Sequence, residues 1–187
     1  NLTISSGTIT LVATGNGATY TNSLGVIDAY SFAGIDADGD IQVLGGTINS
    51  TTSGTGSRTF SSDGNLIIGS PQSKPTITIT NSAERFLVSG TANYSSAIYC
   101  EPKGLKADGI ITINNVDLTV TSIKQGSECI DTDSIVNING GTLTLTANGN
   151  QSKSIKATKE LNINGGKVGV TTSGGVVLEN LTASTYD

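Results

Sequence analysis

The chain has 187 residues and a net charge of −5, and Thr, Ser, Asn and Gly together supply 89 of its residues. It contains no histidine, which excludes a Ser-His triad, a histidine-ligated zinc ion and a histidine general base. With ten Lys and Arg residues against fifteen Asp and Glu, it lacks the clustered cations that nucleic-acid binding requires. No apolar run approaches the length of a bilayer span, so we expect neither nucleic-acid binding nor membrane insertion.

A repeat runs along the chain. After an opening fragment at residues 2–9, copies begin at residues 35, 60, 105, 130 and 155, with a step of 25 residues except for one gap of 45. In each copy a large apolar residue alternates with a small one, two apolar residues follow with the same period of two, and an Asn-Gly-Gly turn or its variant precedes a third alternating segment. The leading apolar positions are Ile35, Phe60, Leu105, Ile130 and Ile155. Each copy therefore predicts three short strands and no helix.

The repeat predicts an all-β chain folded as one domain over residues 1–187, a right-handed single-stranded parallel β-helix of about seven coils. One coil buries too few apolar side chains to offset the conformational entropy of ordering its residues, whereas stacked coils share a core and their ladder hydrogen bonds. Two antiparallel sheets packed face to face are the alternative. That arrangement gives no reason for a strict step of 25 residues.

Two segments break the repeat, at residues 12–34 and 69–104. They hold most of the aromatic residues and all three prolines, so we expect irregular segments that protrude from the rod, on a binding face. Cys100 and Cys129 lie 29 residues apart, close to one coil, which favours a disulfide between neighbouring coils. A pair of free buried thiols is the alternative.

Two polar ladders follow from the alignment. Asn114, Asn139 and Asn164 occupy one corner, where we expect them to hydrogen-bond to each other and to the turn backbone. Outward threonines form a second surface, which strand propensity alone explains. An ice-binding hydroxyl array is a less favoured reading because Asp117, Lys167 and Gly169 interrupt it. The threonines are Thr8, Thr10, Thr76, Thr78, Thr80, Thr119, Thr121, Thr142, Thr144 and Thr146.

Outward carboxylates form the candidate metal sites. Like charges on adjacent strands repel unless a cation intervenes, and oxygen ligands suit calcium. One predicted site is Asp108, Asp131 and Asp133 with Glu128, and the second is Asp36, Asp38, Asp40 and Asp63. For the column Lys106, Asp131 and Lys156, an ordinary surface ion-pair ladder is the favoured alternative. The column Asp108–Asp133 has no cation in register.

The segments Gly34-Ile-Asp-Ala-Asp-Gly-Asp-Ile, Gly104-Leu-Lys-Ala-Asp-Gly-Ile-Ile and Asn139-Gly-Gly-Thr-Leu-Thr-Leu-Thr resemble one bacterial family. It comprises carbohydrate-binding-domain-containing proteins with a polysaccharide-lyase-like right-handed parallel β-helix, of the cellulose- and polygalacturonate-binding type. The resemblance covers residues 34–50 and 104–172. It implies an extracellular protein that binds plant cell-wall polysaccharide and carries calcium on Asp36, Asp38, Asp40, Asp108, Asp131 and Asp133. The chain departs from the pattern at Lys106, Lys156 and Thr158, and we expect no metal on those coils.

We therefore predict a non-catalytic carbohydrate-binding module at the cell surface, acting as a monomer or as part of a larger multidomain protein. The candidate glycan contacts are Lys106, Lys156, Tyr94 and Tyr99. Binding rests on hydroxyl, amide and Lys contacts, or on calcium that bridges an acidic glycan. A polysaccharide lyase with Lys106 as the base beside calcium is the enzymatic alternative, and a structural adhesin stalk is the third.

Overall fold

A computed structural model describes residues 1–92 and 94–180. These residues form 22 β-strands, numbered here in chain order, and no helix, so none of the described residues lies in a helix that could cross a membrane. Eighteen strands belong to three six-stranded sheets in which all the pairings are parallel. The all-β class predicted from the repeat is confirmed.

The three sheets are named in the order in which each copy of the repeat passes through them. Sheet I contains β5 (Ala33–Ala37), β8 (Arg58–Ser62), β13 (Lys103–Ala107), β16 (Glu128–Thr132), β19 (Lys153–Ala157) and β22 (Val176–Asn180). Sheet II contains β1 (Leu2–Ile4), β6 (Ile41–Val43), β9 (Leu66–Ile68), β14 (Ile111–Ile113), β17 (Ile135–Ile138) and β20 (Glu160–Ile163). Sheet III contains β2 (Thr8–Ala13), β7 (Thr47–Thr52), β10 (Thr76–Asn81), β15 (Asp117–Ser122), β18 (Thr142–Ala147) and β21 (Lys167–Thr172).

The chain passes from sheet I to sheet II to sheet III and then returns to sheet I, one strand further along. The predicted alignment fixes the register of this stacking. Ile35 pairs with Phe60, Phe60 with Leu105, Leu105 with Ile130, and Ile130 with Ile155. The steps of 25 residues, and the single step of 45, are therefore confirmed as the distance between neighbouring strands of one sheet.

The core lies between the three sheets and consists of stacked aliphatic columns. One column comprises Ile41, Leu66, Ile111 and Val136, all at 0% exposure, and Phe60 is buried among the leading apolar residues of sheet I. Period-two alternation places these side chains inside and their neighbours outside. The hydrophobic burial that holds the sheets together thus comes from the repeat itself.

The turns between sheets II and III follow the predicted Asn-Gly-Gly chemistry. Gly141 and Gly166 adopt φ values of +93° and +84°, a left-handed conformation that glycine takes without strain. At the same corner Asn139 Nδ2 donates to Asn114 Oδ1 at 3.0 Å, and Asn164 Nδ2 donates to Asn139 Oδ1 at 2.9 Å. The predicted asparagine ladder is confirmed, and its backbone contact is the bond from Asn114 Nδ2 to the carbonyl of Gly69 at 3.3 Å.

The two segments predicted to protrude each contain a β-hairpin. One is β3 (Ala18–Thr21) with β4 (Ile27–Tyr30), and the other is β11 (Phe86–Ser89) with β12 (Ile98–Cys100). Both hairpins lie in connections from sheet III to sheet I, so they leave the stack at the same corner, and β11 contacts both β3 and β4. The expectation of irregular structure across residues 69–104 does not hold for β10, which is a regular strand of sheet III.

Candidate functional site

A pocket of about 540 Å³ lies at the corner where sheet III leads into sheet I. One wall is the hairpin of β11 and β12, and the other is formed by the turns that precede β16 and β19. Its lining residues are mainly polar: Arg85, Tyr94, Ser95, Ala97, Tyr99, Glu101, Gln125, Asn150, Gln151 and Lys153. Of the four predicted glycan contacts, Tyr94 and Tyr99 lie here.

Arg85 organises the pocket. Its guanidinium carbon lies 3.8 Å from the centroid of the Tyr99 ring, a cation–π arrangement, and its Nη1 donates to Gln151 Oε1 at 3.0 Å. Gln125 Nε2 donates to the same oxygen at 3.3 Å. Glu101 Oε1 lies 3.9 Å from Arg85 Nη1. These contacts join the inserted hairpin to the turns of two successive strands of sheet I.

The exposure of the two tyrosines differs. Tyr94 is 70% exposed, whereas Tyr99 is half-buried beneath Arg85. Gly126 lies against two of the lining residues, since a Cβ atom there would be 2.9 Å from Glu101 Oε1 and 3.1 Å from Arg85 Cδ. Glycine at this position keeps the space beneath Arg85 open. The pocket therefore offers an aromatic side chain, a cation and several amide groups to a ligand from solvent.

Burial raises the pKa of Glu101, and the neighbouring Glu128 carboxylate raises it further, against the opposing effect of Lys103, Lys153 and Lys156. Glu101 thus links the pocket electrostatically to a second feature beneath it. We name this feature the lysine–carboxylate cluster, and it comprises Lys103, Lys106, Glu128, Asp131, Lys153 and Lys156.

The lysine–carboxylate cluster belongs to three adjacent strands of sheet I, β13, β16 and β19. Glu128 and Asp131 are 0% and 1% exposed, although both are acidic residues. Lys103 Nζ contacts Glu128 Oε2 and lies 2.5 Å from Asp131 Oδ2. Lys156 Nζ lies 3.4 Å from Glu128 Oε1 and 3.3 Å from Asp131 Oδ1. Each buried carboxylate is therefore paired with ammonium groups from the strands on both sides of it.

Charge pairing controls ionisation in this cluster. Burial alone would lower the pKa of Lys103, but Glu128 and Asp131 raise it above its ordinary value. Burial would raise the pKa of Asp131, but Lys103, Lys156 and Lys106 lower it well below its ordinary value. The pKa of Lys156 is raised by the same two carboxylates, against the effect of burial. The ions stay charged because each one faces opposite charge.

The first predicted calcium site therefore differs from expectation. Its four carboxylates do lie near one another, but lysine nitrogens stand between them. Lys106 Nζ lies 2.6 Å from Asp133 Oδ2 and 3.3 Å from Asp108 Oδ1. No cation is in register with this column, as predicted, but Lys106 reaches it from the position that pairs with Asp131. The predicted ion-pair ladder is present but buried, and it includes Lys103 and Glu128, which the alignment left outside it.

The second predicted calcium site is more open. Asp36, Asp38 and Asp63 are exposed, and the partly buried Asp40 accepts hydrogen bonds from the backbone N and the Nδ2 of Asn65 at 2.8 and 3.1 Å. In the described part of the chain, no group of three or more acidic or cysteine side chains is placed to hold a metal ion. As arranged here, neither set fits calcium, and calcium binding stays a prediction.

The two cysteines form no disulfide in the structure, contrary to the favoured prediction. Cys100 is a half-buried free thiol and Cys129 a buried one. Cys129 Sγ contacts the carbonyl of Thr146 at 3.3 Å inside the stack, and burial raises the pKa of this thiol to about 12. The alternative of two free thiols is what the structure contains.

Sequence reasoning missed Arg85, Gln125, Gln151 and Lys153. Arg85, Gln125 and Gln151 come from connections that carry no periodic signal, whereas Lys153 is the first residue of β19. The excess of aromatic residues in residues 69–104 was the only sign of a site there. No family model, no curated protein and no solved structure matches this chain.

Proposed function

We propose that the chain is a non-catalytic extracellular carbohydrate-binding module that holds an acidic plant cell-wall polysaccharide, of the polygalacturonate type, in the corner pocket. We further propose that its three sheets wind as a right-handed single-stranded parallel β-helix of about seven coils. The repeated passage of the chain through sheets I, II and III supports the winding. The composition, rich in Thr, Ser and Asn and poor in charge, supports an extracellular location.

The observation that carries the proposal is the stack of Arg85 on Tyr99 beside the exposed ring of Tyr94. A pyranose ring has an apolar face that packs on an aromatic side chain, and its hydroxyl groups hydrogen-bond to amides such as those of Asn150 and Gln151. An arginine guanidinium pairs with a carboxylate in a planar, directional contact. The volume of about 540 Å³ lies within the range of roughly 300–1,000 Å³ that is usual for small-ligand sites.

The charges in the pocket favour an acidic glycan over cellulose. Arg85 and Lys153 line it, whereas Glu101 is the single carboxylate among the described residues that line it. A uronate carboxylate can pair with these cations, but the neutral glucose units of cellulose cannot. Cellulose is therefore the weaker of the two predicted ligands.

Binding is better supported than lyase chemistry. A lysine that abstracts a proton must be neutral, yet neighbouring carboxylates raise the pKa of Lys103 and Lys156. Lys106, the lysine predicted as the base, has a side chain only 7% exposed, with its Nζ 2.6 Å from Asp133 Oδ2. A polymer in solvent has little access to an amine in this position. Neither Lys106 nor Lys156 lines the pocket, so their contacts with glycan stay predictions.

The test is a calorimetric titration of the protein with galacturonate oligosaccharides and, separately, with cello-oligosaccharides. We expect binding of the acidic oligomers and weak or no binding of the neutral ones. Arg85→Gln and Tyr94→Ala are each expected to weaken binding about tenfold or more, because each removes a direct contact. Tyr20→Ala, at an exposed tyrosine on the other hairpin, is the matched control and should bind as the unmodified protein does.

Three results would contradict the proposal. One is the absence of binding to any oligosaccharide, which would favour a structural stalk. Another is loss of affinity in Tyr20→Ala with none in Arg85→Gln. The third is an increase in absorbance from an unsaturated product when polygalacturonate is added, which would identify a lyase. Titrations in calcium and in chelator test the predicted role of calcium in the same samples.

A further inference from the structure

The lysine–carboxylate cluster has the composition of a hard-cation site with ammonium groups in place of the metal. Four carboxylates take part in its contacts, namely Asp108, Glu128, Asp131 and Asp133, and four lysines face them: Lys103, Lys106, Lys153 and Lys156. The positive and negative charges of this set therefore balance. A divalent ion added beside the lysines would create an excess of positive charge.

Two oxygens show that the ammonium groups satisfy the carboxylates only in part. Glu128 Oε1 and Asp131 Oδ1 are buried and have no hydrogen-bond partner. The nearest cations to them are Lys156 Nζ, at 3.4 and 3.3 Å, and Lys153 Nζ, at 3.6 Å from Glu128 Oε1. Buried carboxylate oxygens usually accept hydrogen bonds or bind a metal, so these two, held only by ionic contacts of 3.3 to 3.6 Å, are the oxygens that a metal ion would coordinate in place of the lysines.

We propose that the lysines of this cluster replace a divalent cation, and that removing two of their charges converts the cluster into a calcium site. With methionine at positions 103 and 156, Lys106 Nζ would remain 3.6 Å from Asp131 Oδ2 and Lys153 Nζ 3.6 Å from Glu128 Oε1. The four carboxylates would then face only two lysines, which leaves two negative charges without a cation. Asp133 would remain at the margin beside Lys106. Calcium accepts six to eight oxygen ligands in irregular geometry, and water supplies those that the protein lacks. This proposal does not depend on glycan binding.

The experiment compares melting temperatures in millimolar calcium, millimolar magnesium and chelator. The unmodified protein should melt at the same temperature in all three, because its carboxylates are already paired. Lys103→Met/Lys156→Met should melt lower in chelator and be restored by several degrees in calcium, since a ligand that binds only the folded state raises its stability. Magnesium should restore less, because it demands stricter geometry.

Two further variants keep the test decisive. Lys156→Met alone leaves the contacts of Lys103 with Glu128 and Asp131 in place. Calcium should therefore raise its melting temperature by less than that of the double variant. Lys124→Met, which removes a lysine paired with Glu84 outside the cluster, is the matched control and should show none. A calcium-dependent rise in the unmodified protein would overturn the proposal. So would a failure of calcium to raise the melting temperature of both cluster variants, whether or not the double variant folds.

Discussion

Lys103 Nζ lies 2.5 Å from Asp131 Oδ2, on the neighbouring strand of sheet I. The two residues are 28 positions apart, three more than one repeat. This diagonal contact joins the first and the fourth positions of successive sheet I strands. The ammonium group of Lys103 stabilises the buried negative charge of Asp131, a carboxylate that would otherwise have to take up a proton.

Asp131→Asn should destabilise the protein by about 3–5 kcal/mol, because it leaves the buried ammonium groups without their partner. Urea unfolding followed by circular dichroism measures this difference. Asp36→Asn is the matched control, since Asp36 occupies the same position of β5 but is exposed. It should change stability by less than about 0.5 kcal/mol. Equal effects of the two substitutions would show that the buried contacts of Asp131 with the lysines contribute nothing to stability.

The stabilising effect of Asp131 should depend on pH in a defined direction. Its folded-state pKa is lowered below the unfolded value of about 3.9, so its contribution is complete above roughly pH 5 and is lost as the pH falls below about 4. Lys103 has a raised pKa, so its contribution persists up to about pH 10 and declines above that. Urea unfolding across this range should show a constant difference between the unmodified protein and Asp131→Asn from about pH 5 to 10. The difference should shrink in acid, and one that persisted unchanged at about pH 2 would contradict the assignment.

The register between neighbouring strands was predictable because each copy of the repeat carries the residues that determine it. Ile130 and Ile155 are followed by strands with the same alternation, and the Asn-Gly-Gly turn fixes where the next strand begins. The cluster was only partly predictable. A strict period of two places residues 103 and 105 on one face, but Cys129 and Ile130 are consecutive buried residues, so the alternation is broken in these strands. That break brings Lys103 and Glu128 onto the face of Asp131.

The pocket could not be predicted for a different reason. Arg85 and Gln151 are 66 positions apart and both lie in connections, where side-chain direction follows the backbone of each turn and not a period. A hairpin inserted between β10 and β13 brings them together. The sequence marks the insertion by the interval of 45 residues between copies, but not the turns against which it packs.

The two thiols should differ in reactivity. Ellman's reagent should leave Cys129 unmodified in the native protein, because this thiol is buried and burial raises its pKa to about 12. Both thiols should react in urea, and the mass of the unreduced protein should be that of two free cysteines. Any reaction of the folded protein should therefore occur at Cys100. Cys100→Ser is the control, since this variant should not react when folded and should show one reactive thiol in urea. If the unreduced protein were instead lighter by two hydrogens, and reductant removed that difference, the predicted disulfide between the two cysteines would be present.

Phe60→Ala should cost about 3–5 kcal/mol, because it removes the largest fully buried side chain and leaves a cavity between sheets that cannot collapse without breaking the ladders on either side. Phe32 provides the matched comparison, since it is 46% exposed and contacts Tyr30 at the edge of the first hairpin. Phe32→Ala should cost about 1 kcal/mol or less. Urea unfolding of both variants measures the difference in stability between them.

Because each strand of sheet I pairs with the next, Phe60→Ala should also speed amide hydrogen exchange in β5 and β13, the two strands that pair with β8. Amide protection that fell only within β8 would show that the strands unfold independently and that the stacked core is not one cooperative unit.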